Sequence, residues 1–180
     1  MRILFSADPS FIGKAIRWFT KISWVGRGTV SHAALRYGRS ESNWMVESNE
    51  NGFVPNWFAY FEKKRKKVLQ YEVLGIDEDL LEKIVDEQID IWIHKSYDYG
   101  NLIGFAFVIF WYKLTGKKER NIFSWPKSFA CAEITYTIFE EVKKQTGIDY
   151  FGKHDASTLF PEELLMECQS KPNLFKLITE

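Results

Sequence analysis

Three residues of the types that cooperate in nucleophilic catalysis occur along the chain: His32, Glu47 and Cys131. A cysteine attacks a carbonyl carbon as its thiolate, so it needs a base within hydrogen-bond reach and a third group that orients the base. An imidazole and a carboxylate suit these two roles. The residue types therefore suggest acyl transfer through a thiol, provided that the fold brings the three side chains together.

The sequence around Cys131 predicts the start of a helix. In WPKSFACAEITYTIFEEV, Pro126 ends an extended segment, Ser128 is a suitable helix cap, and an apolar stripe with helical spacing follows. Cys131 is thus expected in the first turn, where unpaired N–H groups and the helix dipole lower a thiol pKa and can hold an oxyanion. The competing interpretation is a small buried core residue. Cys168, with no base beside it, is interpreted as structural.

His32 and Glu47 are predicted on neighbouring antiparallel strands. His32 to Tyr37 and Trp44 to Glu47 are β-type runs, and the turn-rich GRSESN between them indicates a hairpin. Pairing across this turn would set Glu47 nearly opposite His32 or one residue removed. The sequence leaves that register open.

Two other histidines compete with His32 for the role of base. His154 stands beside Asp155 in a GKHDAS loop, which would give the order cysteine before histidine. The helix that starts near Cys131 uses most of the chain before His154 and leaves little for a strand to carry the base. His94 lies near the end of a predicted helix and is interpreted as a surface charge.

The rest of the pattern predicts an α+β fold in one domain, residues 1–180. The segment Asn101 to Leu114 is expected to be a deeply buried helix, and the charge run EKKRKK, Glu62 to Lys67, a solvated loop before a strand. Further strands are predicted at 2–6, 68–73 and 174–178, and further helices after Ser10, at 77–93, at 128–145 ending at Gly147, and from Pro161.

Composition narrows the classes of function. Lys plus Arg equals Asp plus Glu, 24 each, so no overall field favours nucleic acid. Two cysteines without a CxxC pair suggest neither a zinc site nor a disulfide framework, and hence a reducing compartment. The N-terminus has no secretory signal, which predicts a cytoplasmic protein. The longest apolar run is too short to span a bilayer, which leaves peripheral contact with lipid open.

Six runs together carry a resemblance to a known family. The chain resembles the YiiX-like permuted members of the NlpC-type papain-like superfamily, and like relatives of lecithin:retinol acyltransferase it has the histidine before the nucleophile. The resemblance implies a permuted papain-like fold, an antiparallel sheet packed against helices, with Cys131 as nucleophile at a helix N-terminus, His32 as base and Glu47 as the orienting residue. The runs are FIGKAIRWFT, VSHAALRYG, WMVESNENGF, YDYGNLIGF, FACAEITYTIF and TLFPEELL.

The resemblance also implies supporting residues and a reaction class. The supporting positions are Ser31 before the histidine, Glu133 of the Cys-x-Glu motif, and Tyr97 with Asp98. Where the family usually has Cys-Ser-Glu, this chain has Cys-Ala-Glu. The expected activity is hydrolysis or transfer at an amide, ester or thioester of a peptide or lipid acyl substrate, with no metal or organic cofactor. The alternative is an inactive module on the same fold that binds a peptide or lipid.

Overall fold

A six-stranded antiparallel sheet forms the centre of the fold. The structure, a computed structural model, describes residues 1–37, 44–49, 51–93, 95–97, 99–121 and 128–178, and leaves out the side chains at 66–68, 97, 99, 101, 102, 128 and 129. The strand order is β4-β3-β2-β1-β5-β8, and two short strands, β6 and β7, pair in parallel. The strands are β1 Arg2–Ala7, β2 His32–Arg36, β3 Trp44–Asn49, β4 Gly52–Trp57, β5 Lys66–Val73, β6 Ser96–Tyr97, β7 Ser128–Phe129 and β8 Phe175–Ile178.

Six α-helices are described around this sheet. They are α1 Phe11–Ile22, α2 Phe58–Lys64, α3 Glu78–Trp92, α4 Tyr99–Thr115, α5 Cys131–Thr146 and α6 Pro161–Ser170. Local sequence sets several of their ends: Ser10 caps α1 through the amide of Gly13, Asp77 caps α3 through Leu80, and Gly147 ends α5 at φ 78°. The predicted α+β class and antiparallel sheet are confirmed.

Alternation along the strands divides the core between the two faces of the sheet. Ile3, Phe5 and Leu35 belong to a large core shared with α3 and α5. Leu4, Ala34 and Met45 instead belong to a smaller core with Phe58 and Phe61 of α2. A third cluster lies between α1 and α4. Its buried members are Phe105, Ile109 and Phe160, with Phe19 and Ile22 packed against them.

Strand β4 and helix α2 are missing from the sequence prediction. Gly52 and Pro55 are poor strand residues, and β4 tolerates them at the edge of the sheet, where a strand has only one partner. The charge run is not a solvated loop: Lys63 and Lys64 end α2 and Lys66 begins β5. The side chain of Arg65, which lies between them in sequence, points inward and is only 11% exposed.

Helix α4 is not the deeply buried helix that its apolar sequence suggested. One side, which includes Phe105, Val108 and Ile109, is buried, but five large apolar side chains on the helix are exposed. The helix therefore covers the third core cluster with one face only. Of the helices in the described ranges, none combines the length and the apolar character that crossing a membrane requires.

The register between β2 and β3 decides how Glu47 meets His32. Leu35 pairs with Val46 and Arg36 with Met45, a register in which Ala34 faces Glu47. His32 lies on the same side of its strand as Ala34, so Glu47 reaches it diagonally. The predicted antiparallel pairing is confirmed, but Glu47 is two residues from the position opposite His32, and the hairpin turn, 38–43, lies outside the described residues.

Candidate active site

Cys131 is the first residue of α5, as its local sequence predicts. Ala130 precedes the helix in an extended conformation, and its amide N–H donates to Oε2 of Glu133 at 3.2 Å. Glu133 thereby acts as a cap of the helix that carries the thiol. The expected cap, Ser128, lies in β7 instead. The Cys131 side chain is 4% exposed, and its Sγ lies 4.0 Å from the backbone oxygen of Ser31.

The imidazole of His32 is held by the carboxylate of Glu47. Nε2 of His32 lies 2.7 Å from Oε2 of Glu47, and both residues are buried, 5% and 3% exposed. The side chain of His32 also lies close enough to the Cys131 thiol for their charges to interact. Because Glu47 occupies Nε2, Nδ1 is the ring nitrogen left for Cys131. The structure thus brings together all three residues that the sequence singled out for catalysis.

The contacts among His32, Glu47 and Cys131 shift the pKa values of the imidazole and the thiol in the directions that favour an ion pair between them. Burial alone would lower the pKa of His32, but the Cys131 thiolate and Glu47 outweigh it and raise the pKa to about 9. Burial would raise the pKa of Cys131, yet the charge of His32 and the amide N–H of Ala33 hold it below its ordinary value. The contacts therefore stabilise the thiolate and the imidazolium relative to the neutral pair.

Glu47 itself is fully partnered. Oε1 accepts hydrogen bonds from the amides of Asn49 at 2.9 Å and Asn56 at 3.1 Å, and Arg65 lies 3.6 Å from Oε2. Burial would raise the pKa of Glu47, but its partners, His32 first among them, lower it to about 2. A buried carboxylate with this many donors stays ionised and fixes the ring of His32 in one orientation.

Arg65 links Glu47 to the start of α1. Its guanidinium forms an ion pair with Asp8, whose amide N–H donates to Oγ of Ser31 at 2.9 Å. Arg17 donates to the same Oγ at 3.2 Å and to the backbone oxygen of Asp8 at 2.7 Å. Ser31 thus supports the site by tying together two chain segments beside His32. Sequence reasoning missed Arg65 and Asp8, because a basic run and a loop aspartate carry no local sign of pairing.

A carboxylate from the far end of the chain fixes the segment that leads into β2. Glu162, fully buried at the start of α6, accepts hydrogen bonds from the amides of Thr29 and Val30 at 2.7 and 3.0 Å. Thr29 Oγ1 donates to it as well, and Arg27 lies 3.5 Å away. Because Val30 is two residues before His32, this anchor sets the position from which the strand begins. Glu162 belongs to the PEELL run, whose helix was predicted without this role.

A cleft opens beside His32. It encloses about 420 Å³ of space open to solvent. A second cleft lies on the other side of Arg65 and shares Asn49 and Arg65 with the first. The first is lined by Asp8, Ser10, Ile12, Gly13, Ile16, Ser31, His32, Ser48, Asn49 and Arg65.

No family model and no curated protein matches the sequence of the chain. Among solved structures, it is similar to the crystal structure of metalloprotein YiiX from Escherichia coli O157:H7, DUF1105. The TM-score is 0.61 and the sequence identity 10%, over 99% of this chain and 95% of that chain. The chain shares the YiiX fold. At this identity the likeness concerns the fold and leaves activity open.

The remaining predicted site residues divide into two groups. Tyr97 has its backbone in β6, but its side chain, together with Asp98 and His94, lies outside the described residues. His154 is engaged elsewhere: its Nε2 lies 3.3 Å from Glu167, and its ring contacts Tyr136. Asp155 caps a 3-10 turn at Ala156–Thr158 through the amide of Ser157. The contacts of these two residues do not support the alternative that pairs them with Cys131.

The donor set beside Cys131 does not suit a metal ion. Nε2 of His32 is bonded to Glu47, and the oxygens of Glu47 are occupied by His32, Asn49, Asn56 and Arg65. In the part of the chain that the structure describes, no group of three His, Cys, Asp or Glu side chains is arranged to bind a metal.

Proposed function

We propose that the chain is a cysteine-dependent hydrolase or acyltransferase with a permuted papain-like site, in which Cys131 is the nucleophile, His32 the general base and Glu47 the orienting residue. One observation carries the proposal: the thiol at the N-terminus of α5 interacts electrostatically with an imidazole whose Nε2 is 2.7 Å from a buried carboxylate. This is the relation of nucleophile, base and orienting group that thiol catalysis needs.

The mechanism follows from these contacts. The Cys131 thiolate adds to the carbonyl carbon of an amide, ester or thioester, forming a C–S bond, while the oxyanion accepts from the amide N–H of Cys131 at the start of α5. His32 gives its proton to the leaving group as the bond to that group breaks. A water molecule or a second acyl acceptor then loses a proton to His32 and attacks the thioester, which releases the acyl group and restores the thiolate.

YiiX is described as a metalloprotein, and this description does not transfer to the site of this chain. Nε2 of His32 and both carboxylate oxygens of Glu47 already have partners within the protein. No step of the proposed reaction passes through a metal ion.

The second candidate is an inactive module that binds a peptide or a lipid in the same cleft. The burial of the nucleophile favours it, because a thiol that is 4% exposed meets a substrate only if the cleft opens further. The two candidates differ in one chemical property, the reactivity of the Cys131 thiol at neutral pH.

Alkylation by iodoacetamide as a function of pH tests the proposal. Cys131 should react with iodoacetamide well below pH 8, where an ordinary thiol is mostly protonated. It should lose this reactivity in His32→Ala, because the imidazolium that stabilises the thiolate is gone. Peptide mass spectrometry separates Cys131 from Cys168, the internal control, whose pKa is raised by burial. Equal rates for the two cysteines, or no effect of the His32 change, would reject the hydrolase and favour the binding module.

A further inference from the structure

Helix α4 exposes an apolar stripe that nothing in the described part of the chain covers fully. Five of its large apolar side chains are between 41% and 68% exposed. Their spacing places them on one side of the helix, and we call them the α4 stripe. The α4 stripe consists of Ile103, Phe107, Phe110, Trp111 and Leu114. A contiguous exposed apolar surface of this kind marks an interaction site.

Helix α1 lies beside α4, on the side of α4 that is opposite the α4 stripe. Phe19 and Ile22 on one side of α1 pack against Phe105 and Ile109 of α4. Its outer side has a different character: an aromatic residue and a lysine alternate at helical spacing, with Phe11 86% and Trp18 58% exposed. This outer side consists of Phe11, Lys14, Trp18 and Lys21.

The charge on these two helices has one sign. Neither α1 nor α4 contains an Asp or a Glu, although the whole chain has 24 acidic residues that balance its 24 basic ones. The basic residues of the two helices and of the segment after α4 are Lys14, Arg17, Lys21, Lys113, Lys117, Lys118 and Arg120, and that segment also contains Glu119. Two of these cations are engaged within the protein, Lys118 by Glu163 and Arg17 by Ser31 and the backbone oxygen of Asp8. Exposed aromatic and aliphatic side chains within a basic surrounding match the chemistry of an anionic lipid headgroup layer.

We propose that the α4 stripe, together with the basic residues at the end of α4 and after it, docks the protein on an anionic bilayer. A helix of 17 residues lies in the interfacial plane rather than across the bilayer. The apolar side chains enter the boundary between headgroups and acyl chains, while the lysines contact the phosphates. This docking is independent of the thiol chemistry and requires no reaction at Cys131.

Helix α1 also borders the cleft beside His32, because Ile12, which follows Phe11, is 39% exposed and lines that cleft.

Flotation with lipid vesicles tests the docking. The full chain with Cys131→Ser, which excludes turnover, is mixed with vesicles of phosphatidylcholine alone or with phosphatidylglycerol. We expect the Cys131→Ser parent to bind the anionic vesicles. The added changes Phe110→Ser/Leu114→Ser, or Lys113→Glu/Lys117→Glu, should each weaken that binding at least tenfold. Two matched controls should bind like the parent: Ile91→Ser, which removes an apolar side chain of α3 that is 62% exposed, and Lys153→Glu, which reverses a charge in an exposed loop.

The outcomes separate the docking from other uses of the same surface. Absence of binding to anionic vesicles, or equal binding by the surface variants and the controls, overturns the proposal. A dimer in light scattering that Phe110→Ser/Leu114→Ser dissociates, together with no vesicle binding, would assign the surface to a second copy. Because the test uses no catalysis, it can fail while Cys131 alkylation still supports the hydrolase, and the reverse also holds.

Discussion

At the scale of single residues, the ionisation of Glu47 links the site to stability. The folded protein holds its pKa at about 2, against an ordinary value of 4.5, since the carboxylate is bonded to His32 and lies beside Arg65. A lowered pKa contributes stability that is present above pH 4.5 and is lost as the pH falls through about 2. The difference corresponds to about 3 kcal/mol of unfolding free energy.

Urea unfolding between pH 5 and pH 2 measures this contribution. The comparison is made between Cys131→Ser and Cys131→Ser/Glu47→Gln. Both variants lack the thiol, so its titration does not contribute to the difference between them. In the single variant Glu47 keeps His32 protonated in the folded state, as it also is in the unfolded state, and we expect a loss of about 3 kcal/mol as the pH falls through about 2. In the double variant neither partner remains, so burial lowers the pKa of His32 and the loss of stability begins instead near pH 6.5. Parallel pH profiles would contradict the lowered pKa, and Glu87→Gln, an exposed carboxylate on α3, is the control.

His32 and Cys131 have opposite pH dependences. The stability from His32, whose pKa is raised to about 9, is present below about 6.5 and is lost as the pH rises through about 9. The stability from Cys131, whose pKa is lowered, is present above its ordinary value of 9 and is lost on acidification through its lowered value. Between about 6.5 and 9 the ion pair binds one proton in total, as the neutral unfolded pair does, so the two effects cancel there.

The residue scale also marks the limit of sequence prediction. Cys131, His32 and Glu47 could be singled out because each stands in a local context, a helix start or a β-type run, that suggests a role. Arg65 could not, since its ion pairs join it to Asp8 and Glu47 across the fold, and the charges beside it in sequence resemble a solvated run. Asn49 and Asn56 were missed for the same reason.

At the scale of elements, the helices and strands with clear end signals were predicted and those without were not. Asp77 and Gly147 mark the start of α3 and the end of α5. Strand β4 contains Gly52 and Pro55, two residues that disfavour the prediction of a strand. The sequence of α4 is apolar on both sides of the helix, which predicts burial on both sides. Only the tertiary structure shows that one side of α4 packs in the third core cluster and that the other side is exposed.

Helix α6 positions β2 through Glu162, and this relation gives a prediction. Glu162→Ala leaves the amide of Thr29 and the buried amide of Val30 without this acceptor, which costs about 1 to 3 kcal/mol of unfolding free energy. The displaced strand start should also slow Cys131 alkylation at pH 7, an effect that a purely global loss of stability does not produce in fully folded protein. Glu162→Gln keeps one oxygen acceptor and should restore part of both losses.

Glu167→Gln is the matched control for this element. It changes a carboxylate on the same helix that contacts His154 and Lys171 but no residue of the segment before β2. Unchanged alkylation in Glu162→Ala, at a temperature where circular dichroism shows a folded protein, would mean that β2 holds His32 in place without this anchor.

At the scale of the whole molecule, zero net charge conceals an uneven distribution. Helices α1 and α4 carry only basic residues, whereas α3 is strongly acidic, with Glu78, Asp79, Glu82, Asp86, Glu87 and Asp90 against Lys83 alone. Such a distribution orients a molecule in the field of an anionic surface even when the net force on it is small.

This distribution predicts that docking depends on salt. Each lysine near an anionic surface contributes about 1 kcal/mol, and screening shortens the range of the interaction from about 10 Å at 0.1 M salt to about 3 Å at 1 M. Affinity for anionic vesicles should therefore fall at least tenfold over this range in sedimentation. Binding to vesicles without anionic lipid should change little. An affinity that rises or stays constant with salt would mean that apolar insertion alone drives the contact.

The bond between Glu162 and the segment before β2 also bears on synthesis. All three residues of the candidate site precede residue 132, but the anchor that sets the start of β2 is made thirty residues later on α6. β8, the last strand of the sheet, is later still. A growing polypeptide on the ribosome thus contains His32, Glu47 and Cys131 well before it contains Glu162, which fixes the start of β2. The complete arrangement therefore forms only after the C-terminal part of the chain has been synthesised.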